Sequence, residues 1–369
     1  IWADSRGAPH VRAITAGWPT IDGYGVGKAW HWLRRTGGIP TRGGKDSIAH
    51  ILFLKHERPE IYRAAAKFLD IKDYLNLRLT GRAASSPDTV TLYWVTDNRR
   101  LSAIDYDPKL LALAGLDRST LPDLLPAASV LGTLNRSAGN ELGLPTGIPV
   151  AVSTGDIMAA AVGSGAVLEH EAHIHIGTSS WLSCHLRQKR TDLIHNMATL
   201  PSAIPGLYLL SNEQDVAGGA LVWLRDHIFC ADDGLESAPL PKIDFSRFDV
   251  LAAQVEAGSG RLIFAPWLNG ERSPVDELTL GAGWHNLSLS STRAHMVRSV
   301  MEGVALNTRW LQGYVERMAG RRLDQIRMVG GGARSALWCQ IYADVLDRAV
   351  LQVADPQARD LDWIVSGHE

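Results

Sequence analysis

The segment from Ala172 to Leu186 constrains the fold most strongly, because it has the pattern of two strands joined by a tight turn. Two alternating runs of residues flank the short polar stretch Gly177–Ser180. This pattern is typical of a β-hairpin with a small polar tip. The alternation of His with Ile before the turn indicates a strand that is half exposed to solvent. The sequence therefore predicts a polar tip at which chemistry can take place.

The first half of the chain combines a helical segment with a turn-rich stretch. Apolar residues recur at helical spacing over 48–79, with Pro59 at a helix start and Gly81 as the C-cap. Turn residues dominate 82–126, and the stretch 142–152 is predicted to be a loop that leads into a buried strand. A run of small residues that begins at Met158 then predicts a closely packed helix.

The second half mixes strands with helices, and its composition differs from that of the first half. A chain of 369 residues exceeds the size at which a single hydrophobic core stops growing, about 250–300 residues. We therefore expect two domains, residues 1–165 and 166–369. The further predicted elements are a helix near Ala217–Ile228, a strand at Leu262–Ala265, a long helix from about Thr292 to Met318, a strand at Gln325–Val329, and a helix opened by Gly330-Gly331-Gly332 that continues through Val345.

Charge and cysteine content exclude several classes of function. With 37 Lys+Arg against 39 Asp+Glu, the net charge is −2, and no basic block provides the footprint of a nucleic-acid-binding protein or of a protein that binds an anionic membrane. The three cysteines are too far apart for a disulfide framework or a zinc ribbon, which favours a reducing cytoplasm. No apolar stretch is long enough for a membrane span. Because the chain begins at Ile1, we expect a truncated or processed start.

Several common catalytic motifs are missing, and one metal site has to be considered. The sequence contains no P-loop, no protein-kinase catalytic loop, no nucleophile elbow and no zincin helix. His170, His173 and His175 lie close together, and the last two share a face of a strand. No third ligand or supporting shell can be identified, so the more ordinary interpretation is a half-solvated strand, and no metal site is predicted.

Two glycine-containing turns are candidate anion sites. Hydroxyl groups and accessible N–H groups at Gly177, Thr178 and Ser179 make a concave site for phosphate oxygens, although such a turn is usually only a turn. The stretch Gly330–Ser335 follows a strand and precedes a helix, where a ligand approaches the backbone and the positive end of the helix dipole. Glycine-rich turns of this kind also often serve packing alone.

Asp156 follows an apolar strand and precedes small residues. The default role of Asp at that place is a helix N-cap. The alternative is a general base, because a carboxylate at the carboxyl end of a strand faces the crevice where α/β proteins bind ligands. Residue chemistry alone leaves both interpretations open.

The order of these elements resembles the FGGY carbohydrate kinases over nearly the whole chain. Matching stretches run from the first residues to Asp344, and the two most specific are Gly-Glu-Arg-Ser-Pro and Gly-Gly-Gly-Ala-Arg-Ser. The stretches are Trp2–Arg6, Asp73–Gly81, Leu142–Val150, Thr154–Asp156, Ile176–Trp181, Ala217–Arg225, Asn269–Pro274, Met301–Val304 and Val329–Asp344.

The resemblance implies an α/β fold of two ribonuclease-H-like domains of the actin/hexokinase superfamily, with ATP and a sugar in the cleft between them. It implies Asp156 as catalytic base and Mg²⁺ as the charge-neutralising ion. It also assigns phosphate contacts to Gly177, Thr178 and Ser179, a nucleotide contact to Gly218, and an adenosine motif to Gly331, Gly332 and Ser335. Glu271 with Arg272 is expected to be a structural ion pair, and the roles of Asp4 and Arg6 stay open.

The resemblance further implies a cytoplasmic enzyme that acts on a small sugar or polyol, with a homodimer as a candidate assembly. A ketopentose such as xylulose is the first expected substrate, and glycerol, another polyol or gluconate is the alternative. The family's opening Asp-x-Gly-Thr hairpin has no counterpart here, and the resemblance stops after Arg359. We therefore expect a truncated chain, and a non-catalytic nucleotide- or sugar-binding fragment is the rival interpretation.

Overall fold

The computed structural model of the protein describes residues 4–234 and 242–354. Two features of the sequence interpretation lie outside the described residues. These are Trp2 of the first matching stretch and the chain ending beyond Ala354.

The first half of the chain is mainly helical, with short two-stranded pairs. Its helices are α1 (Ala8–Thr15), α2 (Val26–Thr36), α3 (Ser47–Glu57), α4 (Pro59–Ala64), α5 (Ile71–Thr80), α6 (Pro108–Ala114), α7 (Arg136–Leu142) and α8 (Asp156–Gly163). Its strands are β1 (Thr20–Ile21), β2 (Tyr24–Gly25), β3 (Ala84–Ser85), β4 (Asp123–Leu124), β5 (Val130–Thr133) and β6 (Pro149–Ala151). The strands pair as β1 with β2, β3 with β4 and β5 with β6.

The predicted helical segment over 48–79 is three separate helices. Pro59 starts α4 as expected, and Arg58 before it has non-helical backbone angles, because proline disfavours a helical residue in front of it. A second interruption over 65–70 precedes α5. Gly81 ends α5 in the left-handed conformation, as its sequence position predicted.

The strand expected before Asp156 is shorter and less buried than predicted. β6 ends at Ala151, it pairs only with β5, and none of its residues is fully buried. A surface strand with one neighbouring strand is not buried on both faces, so its residues need not all be apolar. The predicted small-residue helix is α8, and its residues Met158 and Ala161 pack against Leu209 of the second half.

The second half of the chain is built around one large sheet. The strands of the second half are β7 (Ala172–Ile176), β8 (Ser180–Leu186), β9 (Thr191–Asp192), β10 (Met197–Pro201), β11 (Tyr208–Ser211), β12 (Ile263–Ala265), β13 (Gly283–His285), β14 (Gln325–Val329) and β15 (Ala349–Gln352). Its helices are α9 (Gly218–Leu224), α10 (Phe245–Ala252), α11 (Arg293–Ala319) and α12 (Ala336–Leu346).

Seven strands form the large sheet in the order β15-β14-β7-β8-β11-β10-β9. β14 runs parallel to β15 and to β7, whereas β7 and β8 form the predicted antiparallel hairpin. Every residue of β7 is buried, so the expectation of a half-solvated strand was wrong. The reason is its place between β14 and β8 in the middle of a sheet that is covered by helices, where both faces of a strand are buried.

The core of the second half lies between this sheet and α11. Thr292 and His295 form a capping box at the start of the helix, and Gly320 ends it in the left-handed conformation. Apolar side chains of α11 such as Val300 and Leu311 belong to one buried cluster with Ile174 of β7. A separate cluster with Trp32 and Leu52 fills the first half.

The two halves touch where the carboxyl end of α2 meets the sheet edge. The Lys189 ammonium donates to the carbonyl oxygens of Leu33 (3.1 Å) and Arg34 (2.9 Å). The Thr191 hydroxyl donates to the Gly37 carbonyl oxygen (2.7 Å). Cations are favoured at a helix carboxyl end because the last carbonyl groups have no partners inside the helix.

Within residues 4–234 and 242–354, no helix combines the length and the apolar character that crossing a lipid bilayer requires.

Candidate active site

Two glycine-containing turns lie side by side at one edge of the large sheet. β7 and β14 are adjacent and parallel, so their carboxyl ends meet at the same edge. β7 leads into the turn over 177–179, and β14 leads into Gly330. A Cβ atom at Gly330 would lie 2.6 Å from the Ile176 carbonyl oxygen, so only glycine allows this approach. The structure therefore brings the two predicted anion sites together.

The hairpin tip is fastened to the start of α9 by backbone hydrogen bonds. The Gly218 N–H donates to the Gly177 carbonyl oxygen (2.8 Å), and the Gly219 N–H donates to the Thr178 carbonyl oxygen (3.1 Å). A Cβ atom at Gly218 would lie 2.5 Å from the Gly177 carbonyl oxygen. The resemblance implies a nucleotide contact at Gly218, and the structure shows the Gly218 N–H bonded to the hairpin, so that the start of α9 supports the tip.

The side chains at the tip differ in exposure and in partners. Thr178 is exposed and Ser179 is half-buried. The Glu213 carboxylate lies near Ser179 and forms an ion pair with Arg272. Burial raises the pKa of Glu213, and the charge of Arg272 opposes that rise. The positive charge of Lys45, in the first half, also opposes the rise in the pKa of Glu213.

The predicted pair Glu271–Arg272 is embedded in a network beside the hairpin. The buried Glu271 carboxylate accepts from the backbone N–H groups of Asp215 (3.0 Å) and Arg272 (2.9 Å), and from the Asn307 amide. Arg272 pairs with Asp215 (2.8 Å) in addition to Glu213. Burial raises the pKa of Glu271, and its hydrogen bonds oppose the rise. Both residues thus have structural roles, but among the described residues the Arg272 guanidinium pairs with Glu213 and Asp215, so the expected ion pair between Glu271 and Arg272 is not formed.

The second glycine turn does not open directly into a helix as expected. A short 3₁₀ turn spans Gly331–Arg334, and Ser335 is the N-cap of α12, accepting from the Trp338 N–H (3.0 Å). The Ser335 hydroxyl donates to Asp249 of α10 (2.8 Å). Gly332 packs on Ile176, whereas Gly331 is exposed and a Cβ atom there would meet nothing within 4 Å.

Asp156 is the first residue of α8 and is exposed to solvent. The N-cap is Gly155, so the default interpretation of Asp156 as the N-cap was wrong by one position. Its carboxylate accepts from the N–H of its neighbour Ile157 (2.9 Å). In the described ranges, no hydrogen bond or ion pair joins Asp156 to either glycine turn. A carboxylate in the first helical turn is stabilised by the dipole and keeps free acceptor capacity.

The histidines considered as metal ligands have other partners. The Trp181 indole donates to His173 Nε2 (3.2 Å), and the His175 ring stacks on the Trp181 ring with centroids 4.1 Å apart. His170 lies outside the strand. Burial lowers the pKa of His173 to about 3. In the part of the chain that the structure describes, no three His, Cys, Asp or Glu side chains gather in a way that could hold a metal ion.

Sequence reasoning missed the residues that hold the segment in front of Asp156. The Asp88 carboxylate accepts from the Thr154 hydroxyl, and Lys72 forms a buried ion pair with Asp73. One signal was present, because charged residues interrupt the apolar pattern of α5. The significance of Glu213 and Lys45 had no comparable local signal, since their proximity depends on tertiary structure.

Comparisons with known proteins assign both halves of the chain to one family. A sequence model described as the FGGY family of carbohydrate kinases, C-terminal domain, matches residues 172–359. The model of the N-terminal domain of the same family matches residues 32–163.

Individual relatives agree with this assignment. The chain is 29% identical over 311 residues to an autoinducer-2 kinase of Enterobacter sp. (strain 638), covering 81% of this chain and 56% of the relative. It is 28% identical over 315 residues to the L-fuculokinase of Escherichia coli (strain K12), covering 85% of this chain and 62% of the relative. The chain thus spans about three fifths of the length of these relatives.

A solved structure confirms the fold class. The ligand-bound xylulose kinase from Lactobacillus acidophilus superimposes with a TM-score of 0.78 at 22% identity, covering 99% of this chain and 69% of that chain. The predicted two-domain α/β fold of this kinase family is therefore confirmed. The similarity at this level of identity concerns the fold.

Proposed function

Because the chain belongs to the FGGY family of carbohydrate kinases, we propose that the protein transfers the γ-phosphoryl group of ATP to a hydroxyl group of a small sugar. One observation carries this proposal, namely the two glycine turns that lie together at the carboxyl edge of β7 and β14. Backbone N–H groups on such turns bind phosphate oxygens, and the carboxyl edge of parallel strands is where α/β proteins bind nucleotides.

In the proposed site the two turns make different contacts with the nucleotide. The exposed Thr178 and the neighbouring Ser179 would contact phosphate oxygens from the hairpin tip. The open position of Gly331 leaves room for a ligand against the backbone, whereas Gly332 and Ser335 fix the turn through Ile176 and Asp249. Gly218 serves the site indirectly, because its N–H holds the tip in place.

We propose Asp156 as the general base. Its carboxylate would accept the proton of the attacking sugar hydroxyl while the sugar oxygen bonds to the γ-phosphorus and the bond to the ADP oxygen breaks. Phosphoryl transfer depends mainly on positioning and on stabilising charge, and a base oriented toward the hydroxyl completes the arrangement. The exposure of Asp156 leaves its carboxylate accessible to a substrate.

Mg²⁺ remains a prediction from the family. The described residues lack a set of three side chains that would hold a metal ion on their own. We therefore assign no residue of this chain as a metal ligand, and no step above depends on one.

The proposed substrate class is a ketose, with xylulose as the first candidate. Two of the similar proteins carry names that refer to ketoses, xylulose and L-fuculose. Gluconate, glycerol or another polyol, and autoinducer-2 are the alternatives, the last because a relative is named for it. The domain limits 1–165 and 166–369, a homodimer and a cytoplasmic location remain predictions.

The test of the proposed reaction is Asp156→Asn in the full-length protein that contains this chain. Removal of a general base typically costs about 10²–10⁴-fold in rate, so sugar-dependent ADP release should fall by that factor while ATP affinity stays within about two-fold. Asp117→Asn is a matched control, because Asp117 is also an exposed carboxylate at the start of a helical turn. Near-normal turnover in Asp156→Asn would refute the assignment of the base.

A substrate panel distinguishes a kinase from a non-catalytic nucleotide- or sugar-binding protein. ADP release from ATP is measured with xylulose, L-fuculose, gluconate, glycerol and autoinducer-2. Release that depends on one of these compounds supports the kinase and identifies its substrate. Binding of ATP or sugar without turnover in the full-length protein supports a non-catalytic binding role instead.

A further inference from the structure

The segment in front of Asp156 is held by buried polar side chains from another part of the first half. The Val152 carbonyl oxygen accepts from the Asn76 amide (2.8 Å) and from the Lys72 ammonium (3.3 Å). Two residues later, the Thr154 hydroxyl donates to the Asp88 carboxylate. Lys72, Asn76 and Asp88 are all buried. Side chains therefore hold the chain at Val152 and at Thr154, immediately before the proposed base.

The backbone of the segment is a fixed bend. The Val152 N–H donates to the Ser129 carbonyl oxygen (2.9 Å), and the Ser153 N–H donates to the Ala127 carbonyl oxygen (2.8 Å). Ser153 has a φ of 66°, in the left-handed region that serine rarely adopts. Surrounding contacts have to maintain such a conformation, because it costs free energy on its own.

Thr154 is the last tethered side chain before the helix. Gly155 follows as the N-cap of α8, and Asp156 is the first helical residue. Among the residues that the structure describes, Asp156 bonds only to the neighbouring Ile157 N–H, so its direction is set by the backbone that enters the helix. The bond from Thr154 to Asp88 is the side-chain contact nearest to that entry.

Asp88 is an unusual residue for holding a backbone segment, because its carboxyl group is buried. It is 9% exposed and lies within electrostatic reach of Lys72 and Asp73. Burial raises the pKa of Asp88, and its bond to Thr154 opposes that rise. A buried carboxyl group is costly unless its hydrogen bonds are satisfied, and here a bond to the segment of the proposed base offsets part of that cost.

We propose that Asp88 and Thr154 form a positioning pair that sets the direction of Asp156, with Lys72 and Asn76 fixing the preceding carbonyl group. This inference rests on the proposed function, because it gives the pair a purpose only if Asp156 is the base. A base displaced by about 1 Å can cost up to about 10²-fold in rate. The pair acts through Asp156 and does not contact the substrate.

The kinetic test uses Thr154→Val, which removes the hydroxyl group and keeps the shape. In the full-length protein, kcat should fall about 10- to 100-fold while KM for ATP and for sugar stays within about two-fold. Thr154→Ser keeps the hydroxyl group and should restore most of kcat. Thr91→Val is the matched control, because Thr91 is buried and its hydroxyl group donates to the Pro87 carbonyl oxygen.

A double variant distinguishes positioning from a general loss of structure. In the Asp156→Asn background, Thr154→Val should lower the residual rate by less than about two-fold, because residues that act as a unit are not additive. An equal loss in both backgrounds would overturn the inference. If Asp156→Asn alone has no effect, the assignment of the base fails and the pair loses its proposed purpose, whereas an active protein that tolerates Thr154→Val refutes only the positioning pair.

A measurement that needs no turnover tests the same pair in the 369-residue chain. Hydrogen exchange of the Val152 and Ser153 amides should accelerate about ten-fold in Thr154→Val and remain unchanged in Thr91→Val. Unchanged exchange in Thr154→Val would show that the hydroxyl group does not hold the bend, and would overturn the inference whatever the activity of the chain.

Discussion

The two parts of the proposed site are held in place by different physical means. The segment that leads to Asp156 is fixed by hydrogen bonds that Lys72 and Asn76 donate to it and by one that the Asp88 carboxylate accepts from it. The glycine turns are fixed by close backbone contact, because Gly330 lies against the Ile176 carbonyl oxygen. The first part thus depends on charge balance, and the second depends on the absence of a side chain.

This difference predicts how each part fails. A buried cluster with one lysine and several carboxyl groups has no compensating positive charge once the lysine is removed. The resulting destabilisation also affects the backbone that the cluster holds. A glycine turn tolerates changes of charge nearby but not the addition of a methyl group at a close contact. The comparison would be wrong if the Asp156 segment were sensitive to an added methyl group and the glycine turns were sensitive to a change of charge.

The largest expected effect on stability is that of Lys72→Met. The substitution keeps an apolar stem of similar length but leaves Asp73 and Asp88 buried without their cation. Breaking a buried ion pair in this way costs about 3–5 kcal/mol. Urea unfolding should show that loss, whereas the exposed Lys109→Met should change stability by less than about 0.5 kcal/mol. A similarly small loss in Lys72→Met would remove charge balance as the basis of this region.

Gly330→Ala should have the next largest effect. Gly330 has a φ of 88°, and a Cβ atom would lie 2.6 Å from the Ile176 carbonyl oxygen, so strain and overpacking together should cost about 2–4 kcal/mol. Gly331→Ala is the control in the same turn, since a Cβ atom there meets nothing within 4 Å, and it should change stability by less than about 0.5 kcal/mol. Equal losses in the two variants would contradict the steric explanation.

The elements with strong periodicity were predicted well from the sequence. The hairpin of β7 and β8, the strand Gln325–Val329 and the long helix α11 lie within a residue of their predicted bounds. These elements are long, or alternate regularly, and end at glycine or at a capping residue. Local chemistry therefore determines their limits.

The face that a helix buries was less predictable. α5 has the expected apolar residues, but Ile71 is 70% exposed and Tyr74 is 50% exposed, while Lys72 and Asp73 are buried. Periodicity locates a helix, but it identifies the buried face only when that face is apolar. Lys72 bonds to the Val152 carbonyl oxygen, which only the tertiary structure brings to it, and it pairs with Asp73 of the same helix.

The candidate site shows the same division. Sequence reasoning found both glycine turns, because glycine after a strand is a local signal. It did not foresee that the Gly218 N–H bonds to Gly177, or that Ser179 lies near Glu213, since both involve residues that are distant in the sequence. The roles assigned to Asp156 and to the turns remain predictions that the experiments above test.

Counted per pH unit, the smallest expected effect is an opposite response of the two regions to pH. Burial raises the pKa of Asp70 to about 6 from 3.8, beside Asp73, Lys72 and His50. The folded state then binds more protons than the unfolded state between pH 4 and 6, so this group's stabilising effect is lost as pH rises. Burial lowers the pKa of His173 to about 3 from 6.5, beside His185 and His175. Its contribution is complete above pH 6.5 and is lost as pH falls.

The two variants Asp70→Asn and His173→Asn separate these effects. Relative to the parent protein, the free energy of unfolding of Asp70→Asn should increase as pH rises from 4 to 6. That of His173→Asn should increase as pH falls over the same range. One proton corresponds to a slope of at most about 1.4 kcal/mol per pH unit. Urea unfolding at several pH values measures both slopes, and slopes of the same sign would show that burial does not act on these groups in opposite directions.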